Sequence, residues 1–87
     1  MQVSNSTGQS TDWRVGSNGG SGFGGFRPHR TGHLKAGEQA QVEVDAAASW
    51  LVEFLMRGSV VASAVASHPA AQIALEQHSE GYRVRVS

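Results

Sequence analysis

The sequence contains no cysteine, only two prolines and no long apolar run. Without cysteine the chain can form neither a disulfide framework nor a thiolate metal site, and it has no cysteine nucleophile. No apolar stretch approaches the roughly 20 residues of a membrane-spanning helix, and no basic segment followed by an apolar run opens the chain. The sequence therefore predicts no membrane span and no signal peptide. A cytoplasmic location is the default expectation, with secretion after trimming left open.

The chain has no formal net charge, because 7 Lys and Arg residues balance 7 Asp and Glu residues. A neutral protein has no overall electrostatic attraction to nucleic acid or to an anionic membrane. The length of 87 residues allows one domain with a thin core. We therefore predict a single domain over residues 1–87, and we expect a protein partner or a second copy of the chain to complete its burial.

Apolar residues occupy alternate positions in several segments of the second half. Such alternation buries one face of a strand, and it is clearest where Tyr82, Val84 and Val86 are separated by arginines. The other alternating sets are Val42 and Val44; Trp50, Val52, Phe54 and Met56; Val61 and Val65; and Ile73 and Leu75. The aromatic residues at these positions, together with Trp13, are expected in the core rather than in an exposed sugar-binding row.

These segments predict an all-β fold, a small antiparallel β-sandwich of Greek-key or Ig-like type with about six to seven strands. Further strands are expected at residues 2–4 and 12–15, with a short one at 33–34. Arg57 and Gly58 lie between two apolar runs and predict a tight hairpin, because glycine readily adopts a positive φ.

One segment has an alternative, because residues 45–57 also fit a helix within an α+β fold. Asp45 would be the N-cap of that helix and Gly58 would follow its C-terminus. The alternating apolar residues and the β-rich surroundings favour the strand.

Residues 16–33 are predicted to form a glycine-rich loop. The part from residue 16 to residue 26 contains six glycines, whose entropy cost on ordering opposes a rigid geometry. We therefore expect this part to be an exposed, irregular connection anchored by Phe23 or Phe26. It does not match a phosphate-binding loop, because it lacks the terminal Gly-Lys-Ser/Thr and is followed by Pro28.

The end of this segment combines aromatic and basic side chains that are able to bind an anion or a single-stranded nucleic acid. Aromatic rings stack on bases, and cations contact phosphates. The candidate binding residues are Phe23, Phe26, Arg27, His29, Arg30, His33 and Lys35. The neutral total charge argues against this function, which is kept as the alternative.

Histidines raise the question of a metal site formed by His29 and His33 with His68 or His78. The spacing of four brings two imidazoles together on a helix, whereas Pro28 and neighbouring glycine indicate a loop, so the main prediction includes no metal and no cofactor. No serine lies in a nucleophile elbow, and the acidic residues fall mostly at outward-facing or turn positions. The sequence therefore predicts a protein that is not an enzyme.

The prediction from these observations is a non-catalytic binding or assembly module that uses a face or an edge of its β-sandwich. Its basis is a thin core and the small-residue segment VVASAVAS at 60–67, where Ala62, Ala64 and Ala66 form a flat strand face. Such a face lets another layer or another subunit approach closely, and sheet edges must be covered in some way.

Overall fold

The computed structural model of the protein describes residues 1–17, 27–43, 49–67 and 72–87. All regular secondary structure within these ranges is β-strand. The strands are β1 (Gln2–Asn5), β2 (Thr11–Ser17), β3 (Arg27–Leu34), β4 (Gln39–Gln41), β5 (Ser49–Met56), β6 (Ser59–Ser67), β7 (Gln72–His78) and β8 (Gly81–Val86).

The strands form two four-stranded sheets. Sheet A has the order β4-β1-β7-β8, and sheet B has the order β3-β2-β5-β6. The all-β, two-sheet prediction is confirmed, with eight described strands where about six to seven were expected. The pair β1–β7 is parallel, so the sandwich is antiparallel everywhere except at that pair.

The core lies between the two sheets and takes its residues from the alternating positions. Its buried members are Val3, Trp13, Val15, Leu34, Val42, Trp50, Val52, Phe54, Ala66, Ile73 and Leu75. Tyr82 and Val84 of β8 pack against this cluster, while Arg83 and Arg85 between them are exposed. The prediction that the aromatic residues form core rather than an exposed row is therefore confirmed for Trp13, Trp50, Phe54 and Tyr82.

Strand β5 decides between the two interpretations of the segment that begins at residue 45. Residues 49–56 are a strand, so the helical alternative is wrong there, and residues 45–48 lie outside the described residues. The strand prediction is correct because Trp50, Val52 and Phe54 all face the core. The predicted hairpin is confirmed, since Arg57 and Gly58 connect β5 to β6 with φ of 54° and 80°. Two successive positive φ angles are the pattern of a type I′ turn.

The predicted loop at 16–33 is shorter at both ends than expected. Gly16 and Ser17 belong to β2, with Gly16 buried, and strand β3 begins at residue 27. Pro28 is compatible with this strand because β3 is an edge of sheet B and the ladder shifts register between Val15 and Gly16. Residues 18–26, including Phe23 and Phe26 as proposed anchors, lie outside the described residues.

The alanine face of β6 points into the sandwich. Ala66 is buried, Ala62 and Ala64 are half-buried, and β6 lies close to β8 of the other sheet. The small side chains thus let the second sheet of the same chain approach closely, while the expected protein partner or second copy stays a prediction.

Asn5 organises the polar end of the sandwich. Its side chain is buried, its Nδ2 donates to the carbonyl of Gln9 at 2.7 Å, and its Oδ1 accepts from the backbone N–H of Thr7 at 3.0 Å. The same Nδ2 lies 3.3 Å and 3.2 Å from the carbonyl oxygens of Leu34 and Lys35. These contacts tie the turn after β1 to the turn before β4, so the Asn5-Ser6-Thr7 sequence is a structural turn.

Candidate functional site

The candidate binding residues predicted from the sequence fall into two groups. The side chains of Phe23, Phe26, Arg27 and His29 lie outside the described residues, although residues 27 and 29 belong to β3. Arg30, His33 and Lys35 are described, and all three are exposed.

The three described residues lie on different parts of the β3 region. Arg30 and His33 are three positions apart on β3, so their side chains leave opposite faces of the strand. Lys35 lies in the turn between β3 and β4, where the Glu38 carboxylate accepts the Lys35 backbone N–H at 2.6 Å. These three residues do not form one positive surface, and binding of nucleic acid by residues 23–35 stays a prediction.

The four histidines are not shown to converge. His33 lies in sheet B, whereas His78 ends β7 in sheet A, with Nε2 at 3.8 Å from Oε1 of Glu76. His68 and the side chain of His29 fall outside the described residues. Among the residues that are described, no group of three or more His, Asp or Glu side chains has the arrangement of a metal site.

Two ion pairs lie side by side on the outer face of sheet B. His33 Nδ1 is 2.7 Å from Asp12 Oδ1, directly across the β2–β3 ladder, and Arg14 donates to Glu53 Oε1 at 2.8 Å across the β2–β5 ladder. The Asp12 and His33 side chains are each more than half exposed. Exposed pairs of this kind contribute about 0.2–1 kcal/mol at most.

An open groove of about 430 Å³ lies beside these pairs. It is lined by Asp12, Trp13, Arg14, Thr31, Gly32, His33 and Leu55. The indole of Trp13 lies against Gly32, its partner across the ladder, so closely that a Cβ added to that glycine would be 2.5 Å from Cζ2 of the ring. Trp13 Nε1 is buried and has no hydrogen-bond partner in the structure. The groove is shallow, and the tight packing of Trp13 in its wall explains the glycine.

The edges of the two sheets differ in how they resist pairing with another strand. Natural edges are protected by short length, charged side chains, proline or bulges. In sheet A, β4 has three residues and β8 carries the exposed Arg83 and Arg85. In sheet B, β3 contains Pro28 beside a register shift. Of the four edges formed by described strands, these three thus carry short length, charge or proline.

The fourth edge, β6, is the longest strand in the described part of the chain, with nine residues and the sequence SVVASAVAS. It contains neither proline nor a charged residue, and a register shift opposite Phe54 and Leu55 is its one irregularity. Its inner face packs in the sandwich, whereas Val60 and Val65 are 46% and 50% exposed and Ser63 is exposed between them. We call Val60, Ser63 and Val65, with the backbone edge to which no described strand pairs, the β6 surface.

The sequence drew attention to residues 60–67, but its candidate site residues did not include the β6 surface. A nine-residue run without charge or proline was the available signal. That signal identifies a pairing edge only when the strand order places the run at the end of a sheet, and the strand order depends on contacts that are distant in sequence.

Within the ranges that the structure describes, no helix is present that could cross a membrane. The cytoplasmic location stays a prediction. Comparison with protein-family models, with curated proteins and with solved structures found no significant match to this chain.

Proposed function

We propose that the protein is a non-catalytic assembly module that associates through the β6 surface. The observation that carries this proposal is the contrast between β6 and the other three edges. An edge of this length that carries neither proline nor charge is a template for pairing with another strand, in spite of its one register shift.

Pairing at β6 has two physical contributions. The backbone of a nine-residue strand extends about 30 Å and offers an outward-facing hydrogen-bonding group at every second residue. Burying the exposed half of Val60 and of Val65 contributes about 1 kcal/mol each. One strand pair is a small interface, so we expect a reversible association in the micromolar range.

The proposal assigns no catalytic role to the acidic and imidazole groups. Asp12, His33, Arg14 and Glu53 form ion pairs on an open face rather than in a cleft that excludes water. Enzyme sites usually lie in enclosed pockets, where low dielectric strengthens their electrostatics.

Sedimentation velocity over a dilution series tests the proposal. The wild-type protein should sediment as an oligomer at tens of micromolar and dissociate as it is diluted. Ser63→Lys places a charge at the middle of the β6 edge, where the side chain is exposed and folding should be unaffected. This variant should be monomeric at every concentration.

The matched control is Gln41→Lys, which adds the same charge at an exposed position on the short edge strand β4. It should associate as the wild type does. A wild-type protein that stays monomeric throughout the series would overturn the proposal, as would a Ser63→Lys protein that still associates.

A further inference from the structure

The sequence of β6 reads almost the same in both directions about Ser63. Ala62 matches Ala64, Val61 matches Val65, and the strand begins and ends with serine. We propose that the partner of β6 is the β6 strand of a second copy, paired antiparallel about a two-fold axis at Ser63. This inference rests on the proposed function and specifies its partner and geometry.

Antiparallel pairing about this axis brings compatible residues together. Residues opposite each other in an antiparallel pair lie on the same face of the sheet. Ser63 then faces Ser63 of the second copy on the outer face, and Ala62 faces Ala64 on the inner face. No charged side chain enters the pair, so no like charges oppose each other.

Strand β8, the longer edge strand of sheet A, provides a comparison for self-pairing. An antiparallel self-pair about Val84 would place Arg83 directly opposite Arg85 of the second copy. Like charges directly opposite are destabilising. Self-pairing is therefore suited to β6 and disfavoured at β8.

The two-fold arrangement also limits the size of the assembly. It joins two copies of sheet B into one sheet of eight strands that ends in β3 on both sides. Those ends carry Pro28 and its register shift, which prevent further strand addition. An isologous interface of this kind uses its edge completely, so a closed dimer forms rather than a filament. The register shift in β6 near Val61 restricts the regular ladder to the centre of the strand, which keeps the dimer reversible.

The absence of cysteine makes a single introduced thiol an unambiguous probe of this geometry. In the proposed dimer the two Ser63 Cα atoms are about 4.5–5.5 Å apart, within the range of a disulfide. The full-length Ser63→Cys protein should therefore form a covalent dimer under mild oxidation. Ser59→Cys is the control. Residue 59 is also exposed on β6, but its two Cα atoms would be about 27 Å apart in the proposed dimer.

We expect the disulfide to form at least tenfold faster in Ser63→Cys than in Ser59→Cys. If the wild type associates in sedimentation but Ser63→Cys crosslinks no faster than Ser59→Cys, the two-fold geometry is wrong while the proposed function stands. If the wild type is monomeric and Ser63→Cys does not crosslink, both are wrong.

Discussion

Substitution of Gly32 by alanine tests the packing of Trp13 against the edge strand. The added Cβ would be 2.5 Å from Cζ2, 2.6 Å from Cε2 and 2.8 Å from Nε1 of the indole. Ordinary contact begins near 3.4 Å, so the ring or the strand must move by about 1 Å. Trp13 is only 7% exposed and belongs to the core cluster, which leaves it little room to move.

The expected cost of Gly32→Ala is about 2–3 kcal/mol, in the upper part of the range for overpacked sites. For a domain of this size, that loss lowers Tm by about 10–20 °C. The measurement is equilibrium urea unfolding followed by far-UV circular dichroism near 215 nm, where the β-sheet backbone gives the main signal. Experiments at submicromolar concentration keep association from adding to the apparent stability.

Gly8→Ala is the matched control, because a Cβ at that glycine meets no atom within 4 Å and its φ is not in the left-handed region. Its stability should change by less than about 1 kcal/mol, and in the stabilising direction if at all. In a Trp13→Phe background, Gly32→Ala should cost at least about 1 kcal/mol less than in the wild type, because the smaller ring leaves space for the methyl group. Equal unfolding midpoints for Gly32→Ala and Gly8→Ala would refute the reasoning.

Three further predictions use the same unfolding assay. Asn5→Ala should lower the free energy of unfolding by about 2–4 kcal/mol, because buried groups lose their hydrogen-bond partners. Ser6→Ala, at an exposed position, should change it by less than about 0.5 kcal/mol. Equal effects would contradict the role of the Asn5 side chain. Arg57→Asn should raise the free energy of unfolding by about 0.5–1 kcal/mol, because asparagine tolerates the positive φ of the turn. Gly58→Ala should lower it by about 1–2 kcal/mol. Changes in the opposite directions would exclude a type I′ turn. Phe54→Ala should lose about 3–5 kcal/mol, and a loss below 1 kcal/mol would show that this fully buried side chain does not support the core.

Alternation in the sequence was sufficient to predict the strands that pair through hairpins. The prediction succeeded for β5 and β8 because each buries one face against the core, so a period of two is imposed on the residues. The turn at Arg57 and Gly58 was predictable for a different reason, since its backbone angles exclude most residue types. In both cases the physical cause acts over a few neighbouring positions.

The strands and the surface that could not be predicted depend on contacts between residues that are distant in sequence. Strand β3 was interpreted as loop because Pro28 and Gly32 interrupt strand patterns, yet the proline lies on an edge and the glycine is covered by Trp13. Strand β4 is too short to show a period, and the parallel pair β1–β7 leaves no local signal. The β6 surface was missed for the same reason, because only the strand order identifies β6 as an edge.

The parallel pairing of β1 with β7 has a consequence for the order in which the domain is built. Strand β1 is an inner strand of sheet A, yet its partner Gln72–Leu75 follows roughly seventy residues later. At ribosomal rates of about 5–20 residues per second, β1 waits for about 4–14 seconds before that partner exists. The hairpin of β2 and β3 is complete by residue 34, but β6 ends at Ser67, only five residues before β7 begins. The β6 edge and the strands that complete sheet A are therefore synthesised within about 1–4 seconds of one another. Until then β1 has only β4 as its partner in sheet A, so the sandwich closes only when nearly the whole chain has been made.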